Sequence, residues 1–250
     1  MNNIIVLKFG SSVLRGASDL PAVVQEVYRW YRTGARVLAV VSAPGTVTET
    51  LLKQARELSP EPEPWATAEL LATGERASTA LLAIALNRSG MPARLVNPSE
   101  IALAINGDPL EGNPVSVDRV RVDQLLADHP VLVIPGFFGS DAEGRTQLLG
   151  RGGSDLTAVF LSHVLGARCR LLKDVDGVYE ADPANVATHP RRFSQLNYTD
   201  ALRVAGRLIQ PKALLYIQRN GVACEVAALG RAYQTIVHGA ETRTAPCNRH

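Results

Sequence analysis

The chain has 250 residues, 46% of them hydrophobic and 20% charged, which is enough apolar material for a large core and too little charge for a disordered chain. Its 26 basic and 24 acidic residues leave a net charge of +2, too even a balance for a nucleic-acid or anionic-membrane footprint. No apolar run approaches the roughly 18 residues of a membrane-spanning helix, and the opening MNNIIVLKFG lacks the basic start and long apolar stretch of a secretory signal, so a cytoplasmic protein is expected.

The first predicted element is a buried strand, Ile4 to Phe9, which is a β-branched apolar run ended by Gly10-Ser11-Ser12. Ser18-Asp19 and Pro21 predict the start of a helix running to about Thr33-Gly34. Arg36 to Val41 reads as a second buried strand, and a helix is expected from about Val47 to Leu58. Alternating prolines at 60, 62 and 64 mark a loop too short to be a domain boundary. Trp65 to Arg88 is helical in pattern, with a break expected at Thr73-Gly74, and Ala93 to Val96 is a strand. Residues 99–117 read as irregular, because Gly107-Asp108-Pro109 and Gly112-Asn113-Pro114 are turn signals.

A helix over 118–128 and a strand over 131–134 come next, then a glycine-spaced segment from Gly136 to Gly153. Ser154 opens a helix with Leu156, Val159, Phe160 and Val164 on one face. A strand over 170–173 ends in the turn Asp174-Val175-Asp176-Gly177, and late helices are expected near 198–205 and 211–220 with strands near 223–227 and 234–237. Short apolar strands alternating with helices predict one α/β unit over 1–250, with a mostly parallel sheet covered on both faces. Ligands in such sheets bind outside the carboxyl ends of the strands.

Two segments at those ends have the chemistry for an anionic ligand. Lys8 closes a buried strand, where an ammonium is costly unless it reaches water or an anion. The Gly10-Ser11-Ser12 loop beside it offers backbone N–H groups for close approach to phosphate; a lysine snorkelling beside an ordinary turn is the plainer alternative. Gly150-Arg151-Gly152-Gly153-Ser154-Asp155 precedes a helix, whose first turn carries unpaired N–H groups and a positive dipole. Here the plainer alternative is a capped helix with Asp155 complementing the dipole.

Other signals are weaker. Gly139 to Thr146 has Walker A spacing with arginine in the lysine place, but Asp141 and Glu143 inside it predict a solvated hairpin turn. The acidic turn after Lys173 lacks EF-hand spacing. Tyr179 beyond it has the flat ring that could stack on a base or fill a core. Glu75 and Thr48, taken alone, read as a solvated helix face and a helix cap. Cys169, Cys224 and Cys247 are odd in number and scattered, and the five histidines show no ligand spacing, so no side-chain metal site is expected.

Taken in order, these segments resemble the aspartate kinases, within the amino acid kinase superfamily. Lys8-Phe9-Gly10-Ser11-Ser12 is similar to the family's KFGGTS-type opening, Val41 to Thr48 to its VSAxGxxT segment, and Leu70 to Ser78 to its LLxxGExxS helix. Pro135 to Gly139 followed by Leu149 to Asp155 resembles the GFxG…LGRGGSD pair, and Asp174 to Pro183 resembles DVDGVYxxDP. The resemblance implies a three-layer αβα sandwich that binds the amino acid with its N-terminal part and the nucleotide over about residues 135–250.

It also implies ATP-dependent phosphorylation of the L-aspartate β-carboxylate to 4-phospho-L-aspartate, with Mg²⁺ accompanying ATP and pairing with a second copy of the chain. Carried over by position, Lys8 and Asp155 would be catalytic. Thr48, Glu75 and Arg151 would bind substrate. Gly10, Ser11, Ser12, Gly152, Gly153, Ser154, Lys173, Asp174, Tyr179, Asp182 and Arg207 would bind nucleotide. Three positions depart from the family pattern: Ser11 replaces a glycine, Arg207 a lysine and Ala184 an arginine. The chain ends soon after its last kinase-like strand, so no ACT domain, and no inhibition by lysine or threonine, is expected. Two alternatives stand beside this reading. One is a superfamily kinase acting on another acidic amino acid or metabolite; the other is a catalytically weak paralogue acting as a binding or regulatory subunit.

Overall fold

The computed structural model describes residues 3–183, 190–206 and 208–245. Its centre is strand β1 (Ile4–Phe9), six residues with every side chain buried. Alternation along a strand sends successive side chains to opposite faces, and both faces of β1 are apolar. Ile4 and Val6 enter one core, while Ile5, Leu7 and Phe9 enter the other. A strand buried on both faces takes parallel neighbours covered by helices. β1 accordingly pairs in parallel with β2 (Arg36–Val41) on one side and β9 (Arg168–Lys173) on the other.

β2 pairs in parallel with β6 (Val131–Pro135), which pairs with β3 (Ala93–Leu95) at that edge. Beyond β9 lie β11 (Cys224–Ala228), β12 (Gln234–Val237), β10 (Phe193–Leu196) and β13 (Arg243–Thr244), giving the order β13-β10-β12-β11-β9-β1-β2-β6-β3. The expectation of a mostly parallel sheet holds, with antiparallel exceptions at β11/β12 and β10/β13. Chain direction supplies the functional clue. From β1 the chain moves toward β2, whereas from β9 it moves toward β11. The crevice at the carboxyl ends of β1 and β9 is therefore a topological switch point, where open α/β sheets bind ligands.

Helices α1 (Leu20–Tyr31) and α3 (Pro64–Arg88) cover one face through Val23, Val27, Leu82 and Leu86. Helices α4 (Arg119–Asp128), α5 (Gly153–Leu165) and α7 (Pro211–Asn220) cover the other, with Leu125, Leu156, Val159, Leu214 and Ile217 in its core. The remaining helices are α2 (Val47–Leu58) and α6 (Tyr198–Val204). The result is the expected αβα sandwich, and no described helix is long and apolar enough to cross a membrane.

Two expectations need correction and one holds. Residues 99–117 are not irregular: β4 (Ala104–Asp108) and β5 (Glu111–Ser116) form an antiparallel hairpin. Gly107, Gly112 and Pro114 inside the strands mask their pattern, but β5 lies at the edge of its sheet, where proline is tolerated. The Walker-like segment is the turn between β7 (Phe138–Ser140) and β8 (Thr146–Leu148), as its acidic residues suggest, and both strands join that hairpin in a four-stranded sheet β5-β4-β7-β8. Finally, α3 does not break at Thr73-Gly74. A Cβ on Gly74 would come within 2.9 Å of Ala43 Cβ and 3.1 Å of Val47 Cγ1, so this glycine admits close packing rather than ending the helix.

Candidate active site

The switch point opens into a cavity of about 560 Å³, lined by the ends of β1, β2 and β9, the start of α5, and residues from α2 and α3. Strand parity explains why two lysines meet inside it. Lys8 shares the α5-facing side of β1 with Ile4 and Val6, and Lys173 shares that side of β9 with Cys169 and Leu171. Both lie at strand ends, so their side chains extend past the core toward the first turn of α5.

Asp155, in that turn, receives them both. Lys8 Nζ lies 2.7 Å from Asp155 Oδ1, and Lys173 Nζ lies 3.0 Å from Oδ2 and 3.3 Å from Oδ1. The Gln210 backbone N–H adds a longer contact to Oδ2 at 3.4 Å. All three charged side chains are buried. Burial alone would raise the Asp155 carboxyl, but the charges of Lys8 and Lys173 outweigh it and hold the group well below the usual carboxylate range. Burial pulls the Lys8 ammonium below its ordinary value, and Lys173 pushes the same way, while Asp155 opposes both. One carboxylate gains from two cations, whereas each cation feels the other. The cluster carries net charge +1, and Asp155 is the one ion-pair partner of Lys8 among the described residues. An ammonium has three donors, so Lys8 keeps hydrogen-bonding capacity for an anion.

The glycine-rich turn wraps this cluster. Gly152 has φ +80° and caps α5 without a side-chain hydrogen bond, which leaves the helix start open on the cavity side. Ser154 is buried against the turn after β6: a Cβ on Gly136 would lie 2.9 Å from Ser154 Cα. At the β1 end, Gly10 O accepts from Val13 N–H at 3.0 Å and Leu14 N–H at 2.9 Å, turning Ser11 and Ser12 outward. A Cβ on Gly10 would approach Lys8 Nζ to 2.7 Å, so only glycine leaves the ammonium its place.

Glu75 enters from α3 and is 3% exposed. Its Oε1 accepts from the Ala43 N–H at 3.1 Å, while Oε2 is buried with no hydrogen-bond partner. Burial pushes its carboxyl up to about 7, against the pull of the Ala43 N–H and Lys8. A buried carboxylate oxygen without a donor is costly, and a ligand ammonium would satisfy it. Arg151, on the lining of the same cavity, is exposed and makes no ion pair among the described residues. The cavity thus offers a carboxylate to a cation and a guanidinium to an anion.

Of the residues expected here, the cavity brings together Lys8, Gly10, Ser11, Ser12, Thr48, Glu75, Arg151, Gly152, Gly153, Ser154, Asp155, Lys173 and Asp174. It does not bring Tyr179 or Asp182 to its wall. Tyr179 donates its hydroxyl to Asp176 Oδ1 at 2.7 Å. Arg207 and Ala184 lie outside the described residues. Ser42, Glu49, Phe137, Leu208 and Gln210 also line the site without having been singled out from sequence. Phe137 has φ +76°, a strained conformation for an aromatic residue. Its N–H donates to Thr157 Oγ1 at 3.2 Å, tying the turn after β6 to α5.

Residues 3–228 match the family model described as the amino acid kinase family. The chain belongs to that family. This amino acid kinase family member is 34% identical over 228 residues to an aspartokinase of Thermus thermophilus, an alignment covering 89% of the chain and 56% of the relative. It therefore spans just over half the length of that curated relative. Among solved structures, the aspartate kinase from Synechocystis superposes with a TM-score of 0.81 at 28% identity, over 95% of this family member and 40% of that chain. Aspartokinase III of E. coli in complex with aspartate and ADP superposes with a TM-score of 0.74 at 24% identity, over 94% and 64%, a likeness of fold.

Proposed function

We propose that the chain transfers the γ-phosphoryl group of ATP to the β-carboxylate of L-aspartate, giving 4-phospho-L-aspartate. The observation that carries this reading is the pair of unsatisfied groups of opposite charge that line one cavity with the buried lysines. Glu75 Oε2 lacks a donor and Arg151 lacks an acceptor among the described residues. A small amino acid bearing a second carboxylate fits between them, its ammonium on Glu75 and one carboxylate on the Arg151 fork. Thr48 adds a hydroxyl at the same wall. A buried carboxylate would repel a phosphorylated acceptor, so Glu75 also favours an amino acid over a nucleotide acceptor.

The chemistry asks little of the protein beyond position and charge. The acceptor carboxylate is already ionised at neutral pH and needs no general base. Phosphoryl transfer runs through a transition state with charge spread over the equatorial oxygens, stabilised mainly by positioned cations. Lys8 is that cation in this reading. Asp155 holds Lys8 in place and keeps Lys173 beside it, and the amides of Gly152 and Ser154 with the Gly10–Ser12 loop cradle the phosphate chain, the Gly153 N–H being held by Gly150 O at 2.9 Å. Lys173 and Asp174 face the nucleotide, with Arg207, Tyr179 and Asp182 assigned to it by resemblance alone.

Mg²⁺ fits this donor set as a companion of the phosphates. Among the described residues no group of three or more His, Cys, Asp or Glu could hold a metal unaided, and Asp155 is already shared by two ammonium groups. The exposed carboxylate of Asp174 is the group that would contribute beside phosphate oxygens and water. When bound, the ion neutralises charge on the transferring group. A cytoplasmic setting, a role in amino-acid biosynthesis and pairing with a second copy accompany the same reading.

The test is to incubate the protein with Mg-ATP, hydroxylamine and a panel of acidic amino acids and metabolites. An acyl phosphate is trapped as its hydroxamate. Hydroxamate with L-aspartate is the expected result. Product with another acid alone would reassign the acceptor, and ATP binding without product would make the chain a binding subunit.

A further inference from the structure

Lys212, two residues beyond Gln210 in the first turn of α7, lies outside the cavity lining but is fully engaged. Its Nζ donates to Gly112 O at 2.7 Å, Glu111 Oε1 at 2.9 Å and Leu149 O at 2.9 Å. An ammonium has three donors, and here three acceptors from two separate segments, the β4–β5 hairpin and the end of β8, use them all. The third, Leu149, directly precedes the glycine turn that presents Arg151.

The turn is closed on both sides of Arg151. Gly150 has φ +72°, and a Cβ there would overlap the Glu111 carboxylate, which Lys212 holds. Gly152 has φ +80°, and a Cβ there would overlap the Gln210 side chain. The start of α7 thus sets where the backbone runs on either side of the guanidinium, and Lys212 is the atom-level link to its leading edge. The two glycines have left-handed backbones and no side chains of their own to lock them. Their position is imposed from outside.

We propose that Lys212 is a positioning residue for the acidic acceptor: by clamping Leu149, Glu111 and Gly112 together it fixes the turn that aims Arg151 at the acceptor carboxylate. This rests on the proposed function for the identity of the acceptor, but not for the clamp itself. Gly152 in the same turn also faces phosphate, but the lysines that carry the phosphate charge are held on β1 and β9 by Asp155, so loss of the clamp acts on acceptor binding more than on ATP binding.

The test combines kinetics and hydrogen exchange on Lys212→Met, Lys212→Arg and Glu111→Ala. For Lys212→Met we expect the KM for aspartate to rise about tenfold, with the KM for ATP within about twofold, since small misplacement of a positioning group is strongly felt. Amides of residues 149–153 should exchange faster in the unliganded variant. Lys212→Arg keeps the charge but places its donors in a planar fork, so most of the KM defect should remain. Glu111→Ala removes one exposed partner and should shift the same KM in the same direction by less; it carries the kinetic test if Lys212→Met fails to fold. Wild-type aspartate KM in Lys212→Arg would show that charge alone matters and overturn the proposal. Unchanged exchange over 149–153 in Lys212→Met, or equal rises in both KM values, would overturn it too. Were wild-type protein inactive with aspartate, the functional reading would fall while the exchange comparison still decided the clamp.

Discussion

Lys8 Nζ stands 2.7 Å from Asp155 Oδ1, joining the end of the central strand to the first turn of the helix laid across it. The contact links fold to chemistry. It neutralises a carboxylate that would otherwise repel phosphate at a helix N-terminus, and it points an ammonium into the cavity from a strand whose every other side chain is buried in core. Lys173 completes the arrangement from the neighbouring strand, so the site stays cationic after the ion pair forms.

Replacing Lys8 by alanine should therefore remove transition-state stabilisation while leaving acceptor binding to Glu75 and Arg151. We expect kcat to fall on the order of 10²–10³-fold, the scale of losing one charge-stabilising donor, with the KM for aspartate changed much less. Steady-state kinetics with both substrates varied makes the check. A kcat near wild type would remove Lys8 from the chemistry.

Asp155→Ala should destabilise the fold as well as inactivate it. Two ammonium groups would lose their shared buried counter-ion, a change worth about 3–5 kcal/mol when one partner of a buried ion pair is removed. Urea denaturation of variant and wild type measures the difference. The same group gives stability a pH dependence with a definite sign. Its carboxyl titrates lower in the folded chain than in the unfolded one, so the unfolded state takes up the proton first. The stabilisation is present above the ordinary aspartate value near 4 and is lost progressively as the pH falls below it toward the folded value.

Glu75 has the opposite sign. Burial raises its carboxyl to about 7, so between its ordinary value and about 7 the folded chain holds a proton that the unfolded chain has released. Its contribution to stability is fully present below the ordinary glutamate value and is lost as pH rises through about 7. Acceptor binding runs the other way, because only the ionised group attracts an ammonium. The kcat/KM for aspartate should fall on the acid side with an inflection near 7 in wild-type protein. In Glu75→Gln that inflection should vanish and affinity should drop by about 1.5–3 kcal/mol, the worth of a hydrogen bond to a charged group. A pH–rate profile of both proteins decides it.

Gly136→Ala tests the packing behind the site. The new Cβ would sit 2.6 Å from Ser154 Cβ and 2.9 Å from Ser154 Cα, and the latter is backbone that cannot rotate away. Overpacking of this kind costs about 1–3 kcal/mol. It also pushes Ser154 and Asp155 from the strand ends, so activity should fall together with thermal stability.

The site's two halves differ in how legible they were. Lys8 could be read because a lysine ending an all-apolar strand beside a glycine turn violates the burial pattern around it, and Gly150–Asp155 because glycines directly before a helix expose its N–H groups. The joining of Lys173 to Asp155 could not be read, since it depends on β9 lying beside β1, and strand order leaves no mark on local periodicity. Gln210 reaches the cavity only because α7 packs on α5. Phe137 stands in the GFxG-like segment, but its positive φ left no local signal, since it goes with the hydrogen bond to Thr157 and the packing of Gly153 beneath it. The β4–β5 hairpin was hidden by Gly107 in β4 and by Gly112 and Pro114 in β5, an edge strand that tolerates them. The expected break in α3 failed for a related reason: Gly74 serves packing against Ala43, a tertiary demand that outweighs helix propensity.

The most direct measurement of the central claim is the distance from Lys8 Nζ to the terminal phosphorus of a nonhydrolysable ATP analogue in crystals that also contain aspartate. That distance should be about 3–4 Å, with the aspartate β-carboxylate on the opposite side of the phosphorus in line for transfer. A terminal phosphorus bound away from both Lys8 and the glycine turn, with aspartate still seated between Glu75 and Arg151, would contradict it.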